Sequence, residues 1–181
     1  MMRRAPAFLA PVVLALTLAS CGRGISDRNE FAAANCPQPM TVHDAQRLTR
    51  FKPGPGRDPR DVMFEASLVA AGTTCKLGRD RMDVDVILRI AVNAGPSVGT
   101  GVTQVPFFVR LIDSSGAVVQ GRDELAGYKL SQSSPRGLSQ EEMSVELPFR
   151  EVSQVQGYRI AVGLKPTTEE LEYNRRAAAR P

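Results

Sequence analysis

The sequence predicts an all-β protein, an antiparallel β-sandwich of the immunoglobulin or fibronectin type with a short C-terminal helix. Three observations carry this. Residues 81–93, RMDVDVILRIAVN, place Met82, Val84, Val86, Leu88, Ile90 and Val92 on one parity and Arg81, Asp83, Asp85, Arg89 and Asn93 on the other. A strand with one buried face requires that period of two. Roughly seven short segments of this kind recur between turn-rich spacers, as in a sandwich. The period then changes in the closing TTEELEYNRRAAARP. A small barrel is the alternative way to close the same strands.

Taken in order, the first strand covers residues 62–71, with Val62, Phe64, Ala66, Leu68 and Ala70 on one side. The strand over 81–93 comes next. Val105, Phe107, Val109 and Leu111 form a third, and the turn DSSG (Asp113 to Gly116) leads it into a hairpin with residues 117–120. Further strands are expected over 125–130, over 143–149 (Met143, Val145, Leu147, Phe149) and over 158–164 (Tyr158, Ile160, Val162, Leu164). Tyr158 opens the last of these and resembles the tyrosine corner of immunoglobulin-like folds. In the tail, Thr167 and Glu170 fit a capping box after Pro166, and Arg175, Arg176 and Arg180 complement the helix dipole at its far end. The apolar face of that helix, Leu171, Asn174 and Ala178, is thin, so it is expected to be only half docked.

At the other end, the chain opens with MMRR, runs APAFLAPVVLALTL without a charge, and reaches LASC. A basic stretch, an apolar stretch and a small-residue processing site in that order make an export signal over 1–20. Residues 5–20 fall short of the roughly 20 that span a bilayer, and Pro6 and Pro11 interrupt them, so a permanent spanning anchor is disfavoured. Leu18, Ala19, Ser20 and Cys21 resemble the lipobox of bacterial lipoproteins. The resemblance implies that the Cys21 thiol accepts diacylglycerol and that the signal is cut before it, so that Cys21 becomes the acylated first residue of the mature chain. Stable residence on a membrane takes two acyl chains where one is marginal. The resemblance further implies that an aspartate after the cysteine would favour inner-membrane retention, so Gly22 in that position leans toward the outer membrane.

With Cys21 assigned to lipid, Cys36 and Cys75 remain as a pair in an oxidising compartment, and a disulfide is the expected use. The competing use is a metal site formed by Cys36, His43 and Cys75. Its spacing matches no common zinc pattern and a fourth ligand is not evident, so neither a metal nor a cofactor is expected.

Loss of residues 1–20 removes Arg3 and Arg4 from 23 Lys and Arg residues, leaving 21 against 19 acidic ones. So small a balance gives no case for nucleic acid. The chain has no Trp and only 6% aromatic residues, which disfavours aromatic-lined sugar or base platforms. The remaining length suits one domain with a real core. The expected organisation is signal over 1–20, a flexible tether over 21–35 read from GRGISDRNEFAAAN, a sandwich over 36–166, and a helix and tail over 167–181.

Four features bear on activity. LTRFKPGPGRDPRD (residues 48–61) carries Lys52, Arg57 and Arg60 among glycines and prolines, and such a loop can cradle an anion with its backbone. It lacks the phosphate-loop pattern and leads into a strand, so an exposed loop is the simpler reading. Asp80, Asp83 and Asp85 offer oxygens for a hard cation, but calcium takes six to eight and Arg81 and Arg89 share their face, so a solvated, charge-paired strand face is the more economical reading. His43 is the sole imidazole, with Asp44 its immediate neighbour and no nucleophile elbow in the chain, so no enzyme is expected. GPSVGTG (residues 95–101) reads as a mobile connection.

The lipobox, Cys36-Pro37, LTRFKPGPGRDPRDVMFEA and TTEELEYNRR together are similar to a group of small lipoproteins of alphaproteobacterial envelopes. That resemblance implies a location and no activity. The expectation is a noncatalytic envelope lipoprotein, held to the membrane through acylated Cys21, facing the periplasm and serving an envelope protein partner. The alternative is a binding module for a small anionic or cell-wall ligand, using Lys52, Arg57 and Arg60.

Overall fold

A computed structural model describes residues 23–178. The expected signal and Cys21 lie outside these residues. The chain begins with helix α1 (Arg23–Ala34) and continues through strands β1 (Pro39–Thr41), β2 (Arg47–Phe51), β3 (Val62–Leu77), β4 (Arg81–Ala94), β5 (Val102–Ile112), β6 (Val118–Lys129), β7 (Arg136–Pro148) and β8 (Arg159–Leu164) to helix α2 (Thr168–Ala178). Two four-stranded sheets result, ordered β1-β8-β5-β6 and β2-β3-β4-β7. Every pairing is antiparallel except β1 with β8. The sandwich is as expected.

The core sits between the sheets and follows the predicted parity closely. Met82, Val84, Val86, Leu88 and Ile90 on β4 are fully buried, and Val105, Phe107, Val109 and Leu111 face them from β5. Each such side chain contributes about 1.5–3 kcal/mol by leaving water. Tyr158 supports the corner reading. Its hydroxyl donates to the Pro148 carbonyl at 2.8 Å, ten residues upstream, and ties the end of β7 to the start of β8.

Four expectations change. The two segments expected over 117–120 and 125–130 merge into one strand, β6 (Val118–Lys129), because its first half lies at a sheet edge with both faces exposed and so needs no alternation. β7 likewise begins at Arg136 rather than Met143, its early residues lining an exposed edge. Residues 48–51, read as part of a loop, form most of β2, a strand too short to show a period. On β3 the predicted parity fails after Leu68. The register slips between Leu68 and Ala70 against β4, leaving Val69 as an extra residue. That bulge rotates every later side chain by one position. Ala70 therefore points to solvent, while Ala71, Cys75 and Leu77 pack toward the core.

The flexible tether is also corrected, because α1 occupies it. A 12-residue helix is marginal alone in water, so packing must hold it. Ala32 is fully buried in the core and Phe31 packs against it. Arg28 donates to the Gly78 carbonyl at 2.6 Å, in the turn between β3 and β4. The folded body thus starts before Cys36.

Candidate functional site

Cys36 and Cys75 form a disulfide, with Cα atoms 5.6 Å apart, joining the chain just after α1 to β3. Thr73 reinforces the joint by donating its hydroxyl to the Pro37 carbonyl at 2.9 Å. The pairing removes both thiols from the metal alternative. His43 is 94% exposed on a 3₁₀ turn (His43–Ala45), remote from any such role. Its neighbour Asp44 is held by Arg175 at 2.5 Å, and that hydrogen bond lowers its carboxyl below the usual aspartate range. Among the described residues no cluster of three metal-ligating side chains occurs. Asp83 pairs with Arg81 at 3.0 Å, as expected of a charge-paired face, whereas Asp85 accepts from the neutral Ser144 hydroxyl at 2.7 Å.

The basic loop links β2 to β3 and lies against α2. Lys52 meets Asp61 at 2.7 Å, and its backbone N–H donates to the Asp61 carbonyl at 2.9 Å. Arg60 makes two bonds to Asp58, at 3.0 and 3.2 Å, and these hold the Asp58 carboxyl below its ordinary range. Arg57 turns back onto the carbonyls of Gly54 and Gly56 at 2.9 and 2.7 Å, pairs with Glu169, and stacks over the Phe51 ring at 5.3 Å. Each of the three cations expected to receive a ligand therefore faces a carboxylate of this chain. Their charge is spent on closing the loop and holding α2. We expect Arg57→Ala to lower stability by about 1 kcal/mol through lost stacking and hydrogen bonds, while Arg60→Ala leaves the urea midpoint unchanged. Equal effects of the two would overturn this assignment.

α2 is docked through polar contacts, which its thin apolar face did not reveal. Asn174 donates to the Arg47 carbonyl at 2.8 Å and receives from the Thr49 hydroxyl at 3.3 Å. Tyr173 meets Phe51 edge-on, with ring centroids 4.8 Å apart. The predicted capping box is formed: Glu170 accepts from the Thr167 N–H at 2.8 Å, and Thr167 Oγ1 accepts from the Glu170 N–H at 3.3 Å. The glycine-rich connection is tied down in its first half, where Ser97 bonds the Val62 carbonyl at 2.9 Å and the Arg60 carbonyl at 2.7 Å.

A groove of about 560 Å³ runs between α2 and the β2–β3 pair, bordered by Arg47, Glu65, Ser67, Asn93 and Asn174. No helix among the described residues is long and apolar enough to cross a membrane. Taken together, the described residues form a disulfide-braced β-sandwich with one docked helix before β1 and one after β8. Comparison with protein-family models, with curated proteins and with solved structures found no match.

Proposed function

We propose that this chain is a noncatalytic lipoprotein of a bacterial envelope, anchored through acylated Cys21, facing the periplasm, with the outer membrane favoured, and serving as an accessory or assembly partner of an envelope component. The observation that carries the reading is the Cys36–Cys75 disulfide. It accounts for two of the three cysteines and leaves Cys21 as the odd thiol, directly after an apolar run and the small residues Ala19 and Ser20. A disulfide also fits an oxidising compartment.

Expression of the full chain in a bacterial host, followed by membrane fractionation and mass spectrometry, tests the anchor. The native chain should sediment with membranes and carry diacylglyceryl mass on Cys21, and Cys21→Ser should move to the soluble fraction. Membrane retention with an unmodified Cys21 would overturn the reading. Crosslinking of the same membranes should then recover a stoichiometric protein partner.

A further inference from the structure

From the docking of α1 we infer that the sandwich does not hang from its anchor but stands on the bilayer by one end, the turn between β3 and β4. This rests on the anchor reading at Cys21. Only Gly22 separates Cys21 from the first residue of α1, so the position of α1 fixes where the acyl chains enter the membrane.

The direction of α1 follows from its contacts. Cys36, just past its C-terminal end, is bonded to Cys75, and Pro37 is held by Thr73. Arg28, nearer its N-terminus, reaches Gly78 in the β3–β4 turn. The helix therefore runs antiparallel to β3 and heads past that turn. At about 1.5 Å per residue, its first residue lies about 7.5 Å beyond Arg28. The acyl chains then emerge at the tip of the β3–β4 hairpin.

Several other connections gather at one end or the other, while the β1–β2 connection meets β3 midway, the Leu68 N–H donating to the Gln46 carbonyl at 2.9 Å. The start of the β7–β8 connection joins the tip, with the Phe149 N–H donating to the Asp80 carbonyl at 2.9 Å. At the far end, the start of β3 is joined by the 95–101 connection through Ser97, and Gln132 of the β6–β7 connection bonds the Gly95 carbonyl at 3.2 Å. The 52–61 loop and the N-terminus of α2 belong to that far end too, through Lys52–Asp61 and Arg57–Glu169. β3 has 16 residues, so the two ends stand about 50 Å apart at 3.3 Å per residue. The loop with Lys52, Arg57 and Arg60 is thereby held away from the membrane, at the end open to a partner.

The test uses the full acylated protein in vesicles of phosphatidylethanolamine and phosphatidylglycerol at a ratio of about three to one, with a nitroxide-labelled lipid as quencher. A fluorophore is placed by Arg79→Cys at the tip or by Ser133→Cys in the far β6–β7 connection. Quenching at position 79 should exceed that at 133 at least about twofold. A ten-residue Gly-Ser insertion between Gly22 and Arg23, which spans about 17 Å, should erase the difference. Equal quenching at both positions in protein that is acylated and floats with the vesicles overturns the pose alone. Protein without acyl mass that fails to float overturns the anchor reading, and the pose with it.

Discussion

Replacing Cys36 and Cys75 together by alanine is expected to remove about 4 kcal/mol of unfolding free energy. The separation of 39 residues sets this figure, since closing a loop of that size restricts the unfolded chain by about that amount in the chain-entropy model. Against a typical total of about 5–15 kcal/mol, the loss is large. It should also be uneven in space. α1 is joined to the sandwich by Ala32, Phe31, Arg28 and this bond, and lacks the length to persist alone. Urea denaturation of the double variant, and of the native chain with and without reductant, should give the same shift in midpoint. Amide exchange over residues 28–35 should accelerate more than exchange in β4. A shift under about 1 kcal/mol, or uniform acceleration, would show that α1 is held by packing alone.

The same bond shows what could be read from the sequence and what could not. The pairing of Cys36 with Cys75 followed from counting, because the expectation that Cys21 takes lipid leaves two. The geometry that permits it did not. With an unbroken period of two from Val62, Cys75 would share the outward parity of Met63 and Glu65. The bulge at Val69 turns Cys75 inward to meet the chain leaving α1. Nothing in SLVAAG marks that bulge, since small and apolar residues are acceptable on either face. β4 was legible because it lies inside its sheet and buries one whole side, whereas β6 and β7 run along edges where half the residues face water on both sides. α1 left a signal: Arg28 and Phe31 with Ala32 follow the spacing of one helical face, and alanines follow them. The polar composition around them reads equally well as a leash. The loop cations were legible as residues, but the carboxylates that occupy them were not. Asp58 and Asp61 are local, while Glu169 arrives from 112 positions away.

Glu170→Ala is expected to cost about 2 kcal/mol and to release α2 while the sandwich stays folded. Glu170 is the sole acidic residue buried among the described ones, at 5% exposure, and its carboxylate serves two groups. One is the Thr167 N–H at the start of α2, and the other is the Arg50 guanidinium of β2, whose buried Nε lies 2.5 Å away as a charge pair without hydrogen-bond geometry. Losing half of a capping box costs about 1 kcal/mol. Leaving a buried cation without its partner costs up to about 3–5 kcal/mol, but Arg50 is one-third exposed and lies over the Phe64 ring, so water recovers much of that term. Glu170→Gln keeps an oxygen for the Thr167 N–H and gives up only the charge, so its loss should be about half as large. Arg50→Met combined with Glu170→Leu should recover part of the stability lost by Glu170→Ala, because two apolar side chains then replace a desolvated pair. Urea denaturation ranks the three variants, and amide exchange over residues 168–177 separates fraying of α2 from global loss. If Glu170→Ala were neutral, the edge-on contact of Tyr173 with Phe51 and the bonds of Asn174 to Arg47 and Thr49 would suffice to hold the helix. The ion pair would then be a consequence of docking rather than its cause.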